Sequence, residues 1–196
     1  MKVDEMPVGL KKVKVSLDRS LYLLHPYNSC LITSKSKTGK PNVMTVAWIT
    51  PVSAKPPLLA MSIRSERYSY NLILESGEFV VNIPTFDLTE QVLFCGRRSG
   101  REHNKFKATS LHPQKALEVS TPAIKECVGH LECRVVKTLK TGDHTLIIGE
   151  IIEAYATEGH FDQIYNIKKH RPCLHLGKNY FTTCLKNKKE PKLKTN

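Results

Sequence analysis

Residues that could bind an anion lie close together between positions 62 and 69. The side chains of Ser62 and Arg64 share one face of a predicted strand, and Arg67 and Ser69 follow where a helix is predicted to begin. A phosphate dianion needs several donors at once, and hydroxyls, guanidinium groups and free helical N–H groups can supply them together. The same spacing is equally consistent with two arginines that are simply solvated at the end of a strand.

A second group of cations occupies residues 97–107. Such a loop can hold a nucleotide phosphate or pyrophosphate, or it can simply be solvated. Lys105 is the residue that we predict to bind an anion there. The segment contains five cations and one acid: Arg97, Arg98, Arg101, Lys105, Lys107 and Glu102.

The only tryptophan, Trp48, lies in the strand predicted over residues 42–50. Both faces of this strand are largely apolar, which predicts cover on both sides. Trp48 is therefore either a core residue or a surface on which a flat ring can lie. In the second case, backbone groups of the strand would form hydrogen bonds with the polar edge of that ring. Prolines at 51, 56 and 57 interrupt the pattern before a second strand over residues 58–63.

The remaining elements predict an antiparallel barrel of about six strands with short helices, an α+β fold that is mainly β. Further strands are predicted over residues 28–34, 79–83, 127–135 and 144–156. A helix capped by Ser65 should end at Gly77, and a second should begin at the capping box opened by Asp87 and end at Gly96. Alternation over residues 127–135 predicts a half-buried strand with Cys127 and Cys133 in the core.

Length and composition predict a single domain over residues 1–185, followed by a basic, disordered tail at residues 186–196. The chain has 196 residues and a formal net charge of +12, which suits anionic partners. The six cysteines lack zinc-ligand spacing, so no metal site is expected, and reduced thiols in a cytoplasmic protein are predicted. No apolar run approaches the roughly 20 residues that a membrane-spanning helix needs.

Several motifs, taken in order, resemble those of the flavin reductase-like family of FMN-binding split barrels, the flavoredoxin-like proteins. They are NVMTVAWITPVS at 42–53, SIRSERYSY at 62–70, SGEFVVNIP at 76–84, SGREHNKF at 99–106, HLEC at 130–133 and GDHTLIIGE at 142–150. One departure is Asn104, which stands where the family has an aspartate before Lys105.

The resemblance implies an antiparallel, Greek-key-like FMN-binding split β-barrel that forms a homodimer. It places His144 on the nicotinamide side of the flavin and Tyr180, in a closing segment at 171–181, near the flavin. Arg64, Arg67 and Ser69 are expected to cradle the FMN phosphate. The residues expected to contact FMN are Thr45, Val46, Ala47, Trp48, Ser53, Ser62, Ile63, Arg64, Arg67, Tyr68, Ser69 and Lys105.

The function that follows is transfer of electrons from NADH or NADPH through FMN to an acceptor, which could be free flavin, ferric iron or a partner protein. Because the flavin carries the chemistry, no catalytic side chain is expected. One alternative is an FMN-binding electron carrier that never meets NAD(P)H. A less favoured alternative is a basic nucleic-acid-binding barrel, since aromatic residues are few and do not alternate with the basic loop.

Overall fold

The computed structural model describes residues 12–184, so the predicted tail at 186–196 lies outside the described residues. Within 12–184 there are two 3₁₀ helices, Leu17–Leu24 and Phe86–Leu88, and three α-helices: α1 (Tyr68–Ser76), α2 (Thr89–Arg97) and α3 (Lys105–Thr109). The strands are β1 (Tyr27–Asn28), β2 (Cys30–Lys35), β3 (Pro41–Val46), β4 (Ile49–Ala54), β5 (Pro57–Ile63), β6 (Glu78–Ile83), β7 (Pro113–Gln114), β8 (Ala123–Ile124), β9 (Gly129–Thr141), β10 (His144–Ala156), β11 (Leu174–Gly177) and β12 (Tyr180–Thr182).

The main sheet has seven strands in the order β3-β2-β6-β9-β10-β5-β4, and all neighbouring strands in it are antiparallel. Its two edges, β3 and β4, are separated along the chain by Ala47 and Trp48 alone. Three Cα steps span at most about 11 Å, so the edges must meet and the sheet curls into a barrel. The predicted antiparallel split barrel with short helices is confirmed.

The prediction of one strand over residues 42–50 is wrong, because the chain breaks at Ala47 and Trp48 into β3 and β4. Pro51 does not end the strand as predicted. It is tolerated inside β4 because β4 is an edge strand, and a bulge separates Pro51 from Ser53. β4 is mostly exposed, so cover on both faces holds for β3 but not for β4.

Strand β3 lies between two apolar clusters, which explains its apolar faces. Val46 belongs to the cluster that fills the barrel with Phe79 and Ile147. Val43 belongs to the cluster under α2 and α3, with Val92 and Phe106. One strand therefore ties the barrel interior to the helical layer.

The predicted cap at Ser65 is wrong, and α1 begins at Tyr68 with Arg67 in the N-cap position. Residues 64–67 form a turn instead, in which the Arg67 N–H donates to the Arg64 carbonyl at 3.1 Å. The predicted end of α1 is confirmed, since Gly77 adopts a φ of 68° and its N–H donates to the Ile73 carbonyl at 2.9 Å.

The predicted limits of the second helix are also wrong. Asp87 lies in the 3₁₀ helix Phe86–Leu88, which leads directly into α2 without a side-chain cap. Gly96 does not end α2, which continues to Arg97. Gly96 instead lets α2 pack closely on β3, since a Cβ at this position would lie 3.3 Å from the Cβ of Thr45.

The predicted alternation of β9 is wrong, because His130 and Glu132 are buried. The segment that precedes β8 covers this face, and Glu132 accepts backbone N–H groups from residues 117, 118 and 119 at 2.7, 2.7 and 3.0 Å. Burial of Cys127 and Cys133 is confirmed, although Cys127 lies before the strand. None of the helices within residues 12–184 is long and apolar enough to cross a membrane.

Candidate functional site

The first cavity opens where the two edges of the main sheet meet, and its volume is about 510 Å³. The end of β3 and its link to β4 form one part of its lining, and the end of β5 forms another. The Ser62 N–H donates to the Trp48 carbonyl at 2.9 Å, which fixes these two segments against each other. The lining from these segments is Met44, Thr45, Val46, Ala47, Trp48, Ser62, Ile63 and Arg64.

Trp48 and His144 form an aromatic wall of the first cavity. Trp48 is 40% exposed, and its ring centroid lies 5.0 Å from that of His144 at the start of β10. Asp143 accepts from His144 Nδ1 at 2.7 Å and pairs with Arg64 at 3.0 Å. The hydrogen bond from His144 and the Arg64 charge lower the pKa of the Asp143 carboxyl, so it stays ionised and holds both partners.

The first cavity also has a lining that the sequence analysis did not identify. The 3₁₀ helix Leu17–Leu24, here called the N-terminal strap, contributes Tyr22, and His25 directly follows it. His175 reaches the same cavity from β11. Asp18 and Leu21 line it as well, and the spacing of Asp18, Leu21, Tyr22 and His25 at intervals of three and four residues is a signal in the sequence that could have suggested a shared face.

A second cavity of about 360 Å³ lies beside α1, α2 and the basic segment. It shares Met44, Thr45 and Arg67 with the first cavity, so the two adjoin along β3 and are together called the groove. Its charged and hydroxyl-bearing lining is Glu66, Arg67, Tyr68, Ser69, Arg98, Ser99, Arg101, Glu102 and Lys105. Four cations against two carboxylates leave it a net positive site.

Lys105 is the buried cation of the second cavity, with only 5% of its surface exposed. Its Nζ donates to the Cys95 carbonyl at 2.8 Å, which uses one of its three N–H groups. Burial, together with the Arg67 charge nearby, lowers the pKa of Lys105 to about 8. A buried ammonium with spare donors is well suited to an anionic ligand, which would restore the pKa.

Neighbouring polar residues hold this cavity in place. Ser69 is buried and accepts from Asn42 Nδ2 at 2.7 Å. Asn104, the departure from the family pattern, caps α3 by accepting from the Lys107 N–H at 3.1 Å. Asn and Asp are equally good N-caps, so this substitution keeps the helix that carries Lys105.

The structure brings most of the predicted site residues to the groove but divides them between its two cavities. Arg64 lies in the first cavity and is engaged with Asp143, whereas Ser69 and Lys105 lie in the second, and Arg67 lines both. Ser53, on β4, lines neither cavity, and Tyr180 is 69% exposed and also lines neither. The predicted residues in the first cavity are Thr45, Val46, Ala47, Trp48, Ser62, Ile63, Arg64, Arg67 and His144; the second adds Tyr68, Ser69 and Lys105.

The shape and chemistry of the groove fit a mononucleotide carrying a large flat ring. One end has aromatic rings and strand backbone, and the other has convergent cations, hydroxyls and the start of a helix. Flat rings stack on aromatic side chains, and phosphates bind where guanidinium, ammonium and helical N–H groups converge. FMN has both parts, so the residues present fit this cofactor.

Comparison with known proteins gives the same result. A model of the flavin reductase like domain matches residues 22–183. An uncharacterized protein of Archaeoglobus fulgidus is 47% identical over 132 residues, which are 67% of this chain and 73% of that protein. An enzyme of Kitasatospora aureofaciens described as flavin reductase (NADH) is 29% identical over 149 residues, 75% of this chain and 76% of the enzyme.

The fold also matches solved structures. The crystal structure of flavoredoxin from Methanosarcina acetivorans superposes with a TM-score of 0.81 and 33% identity, covering 94% of this chain and 97% of that one. An FMN-binding protein from Thermus thermophilus superposes with a TM-score of 0.78 at 23% identity, over 94% of this chain and all of the other, and this match shows the fold alone.

Proposed function

The chain belongs to the flavin reductase-like domain family, and from that membership we propose that it binds FMN and passes electrons from NADH or NADPH through the flavin to an acceptor. The observation that carries the proposal is the pair of adjoining cavities along β3, with rings in the first and a buried cation in the second. The similarity to an NADH-dependent flavin reductase supports the choice of donor.

The second cavity would hold the FMN phosphate. Arg67, Ser69 and Lys105 all line it and offer charge-assisted and neutral hydrogen bonds to phosphate oxygens. The proposed phosphate site therefore includes Lys105 and leaves out Arg64, because the Arg64 guanidinium is held by Asp143 in the first cavity.

The first cavity would hold the flavin ring. Thr45, Val46 and Ala47 would present backbone groups to its polar edge, and Trp48 would cover part of its face. When bound, the flavin supplies the redox chemistry by accepting a hydride from the nicotinamide and passing electrons on. The role of this chain is to bind, orient and shield the ring.

His144 is the residue that we assign to the nicotinamide. Its Nδ1 is engaged by Asp143 and its ring packs against Trp48, so its orientation is fixed at the cavity wall. A fixed imidazole can stack on a nicotinamide or form one hydrogen bond to a carboxamide. None of these roles requires the chain to transfer a proton itself.

An FMN-binding electron carrier that takes electrons from a partner protein is the second candidate. The match to a flavoredoxin at 33% identity over 94% of this chain favours it. Oxidation of NADH or NADPH at steady state distinguishes the two functions, because a carrier of this kind would oxidise neither.

We also propose a homodimer located in the cytoplasm. Support comes from apolar side chains left in solvent on the N-terminal strap, where Leu17 is 88% and Leu23 is 70% exposed. All six cysteines are free thiols, which suits a reducing compartment.

The experiment that tests the function is an anaerobic titration of the purified, FMN-loaded protein with each nicotinamide nucleotide. We expect the visible absorbance of the oxidised flavin to bleach with at least one of them. FMN affinity measured by fluorescence should fall roughly 10- to 100-fold in Arg67→Ala, the loss of one or more charge-assisted hydrogen bonds, and less in Arg64→Ala. Equal losses in the two variants would contradict the phosphate assignment, and failure to bind FMN would remove the function altogether.

A further inference from the structure

A ladder of aromatic rings runs from the N-terminal strap to β12 along the first cavity. Tyr22 stacks on His25 with centroids 5.2 Å apart and an interplanar angle of 21°. His25 contacts His175 edge to face at 5.3 Å, and His175 contacts Phe181 at 5.2 Å. Tyr22, His25 and His175 all line the first cavity.

The ladder is fixed at its inner end. His175 lies in β11, where its Nε2 lies 3.1 Å from the Lys178 carbonyl, an atom that can only accept. This contact therefore places the proton on Nε2 and sets the orientation of the ring. A second imidazole, His25, is then positioned by its contact with His175 and by Tyr27 on its other side, at 4.8 Å.

The outer end of the ladder rests on one close contact. Gly177 has a φ of 112°, and a Cβ at this position would lie 2.6 Å from the Tyr22 ring. No side chain of the strap is buried, and Tyr22 is 49% exposed. The strap therefore holds Tyr22 against the body of the protein by ring contacts; Asp18 and Leu21 also line the cavity, while Leu17, Leu23 and Leu24 are largely exposed.

We propose that Tyr22, His25 and His175 bind the flat conjugated ring of the substrate in the first cavity, as a second group of rings in addition to Trp48 and His144. The inference rests on the proposed function, which supplies the nicotinamide as the ring to be bound. Rings offered by two segments, the end of the strap and β11, favour a planar ligand, because stacked and edge contacts are gained only by a flat π system. The strap would thereby set which ring-bearing substrates the protein accepts.

The variant that tests this site is Tyr22→Ala, which removes the outermost ring. Stacking contributes about 0.5–1.5 kcal/mol, so we expect the KM for the nicotinamide donor to rise about three- to tenfold while FMN affinity and kcat change less than about twofold. Tyr22→Phe keeps the ring and should behave as the parent. Leu24→Ala is the matched control, because Leu24 lies on the same strap, is 62% exposed and does not line the cavity.

A second measurement reads ring binding without turnover. Trp48 is the only tryptophan and lines the same cavity, so its fluorescence reports a ring bound there. Titration of the FMN-free protein with 1-methylnicotinamide should give saturable quenching that weakens about three- to tenfold in Tyr22→Ala and not in Leu24→Ala.

The outcomes separate this inference from the function on which it rests. An FMN-loaded parent that oxidises neither nucleotide removes the proposed reductase, and the ring site is then decided by the fluorescence titration. Non-saturable quenching in the parent, or the same affinity in Tyr22→Ala as in the parent, overturns the ring site. A loss of FMN affinity in Tyr22→Ala equal to the rise in KM also overturns it, since Tyr22 would then contact the cofactor.

Discussion

The burial of Lys105 predicts that FMN binding depends on pH in the alkaline range. The free protein holds the pKa of Lys105 at about 8, below the ordinary value of 10.5, and burial is the main cause. A phosphate dianion beside the ammonium would raise this pKa again, because an opposite charge favours the charged form. Below about pH 8 the lysine is charged with or without FMN, and affinity should be flat.

Above that pH, Lys105 of the free protein loses its proton and must take it up again when the phosphate binds. The Kd then rises up to tenfold per pH unit until the pKa of the bound form is reached. Between about pH 7 and pH 9.5, a single group with a pKa of about 8 raises the Kd for FMN about 30-fold, which is about 2 kcal/mol of binding free energy. The phosphate remains a dianion throughout, since its second pKa is about 6.

The assay is a fluorescence titration of FMN with the apoprotein at several pH values in this range. Lys105→Met keeps the length of the side chain without its charge, and should bind FMN more weakly at neutral pH and lose the slope. Lys107→Met, an exposed lysine on the same helix, should keep the slope of the parent. A flat parent profile, or a slope that survives in Lys105→Met, would refute the role of Lys105 in phosphate binding.

Three further predictions follow from the described contacts. His144→Ala should slow anaerobic reduction of the bound flavin by about tenfold with little change in FMN affinity, and stopped-flow rates equal to the parent with both donors would exclude a nicotinamide role. Burial raises the pKa of the Cys30 and Cys133 thiols to about 12, so both thiols stay protonated. The variants Cys30→Ala and Cys133→Ala should therefore keep flavin reduction, although each should lose about 1–2 kcal/mol of stability in thermal melts. Loss of flavin reduction in a folded variant would argue for thiol chemistry. Light scattering should give twice the 22.2 kDa chain mass, and the double variant Leu17→Asp with Leu23→Asp should return the mass of a single chain. A parent protein that already has the mass of a single chain would contradict the dimer.

The elements that the sequence predicted well are those with a strong local signal. β10 has the predicted limits, residues 144–156, because a glycine turn opens it and β-rich residues continue without interruption. The stop at Gly77 was equally predictable, since glycine adopts a positive φ at little cost. Arg67, Ser69 and Lys105 were predicted as anion-binding residues from residue type and motif, and the structure places all three in the lining of one cavity.

The features that the sequence did not predict depend on tertiary contacts. The break at Ala47 and Trp48 is imposed by pairing of β4 with β5, which leaves β3 and β4 at opposite edges of one sheet. The sequence pattern places Glu132 on the solvent side of the strand. In the structure its carboxylate is buried and accepts three backbone N–H groups from residues 117–119. The contact of the strap with the cavity depends on a glycine far along the chain, because a side chain at Gly177 would collide with the Tyr22 ring.

Strand β3 makes flavin retention a measure of how well the whole domain is folded. Val43 and Val46 are core residues, while Met44 and Thr45, the residues between them, line the cofactor groove. Thr45 Oγ1 also donates to the Val92 carbonyl at 2.6 Å, which couples the groove to α2. A core substitution that lets β3 shift would misplace both ends of the groove together, so bleached or colourless preparations should appear before the chain unfolds. In the other direction, saturating FMN should raise the melting temperature even of variants whose defect lies far from the flavin, because any ligand that binds only the native state stabilises it.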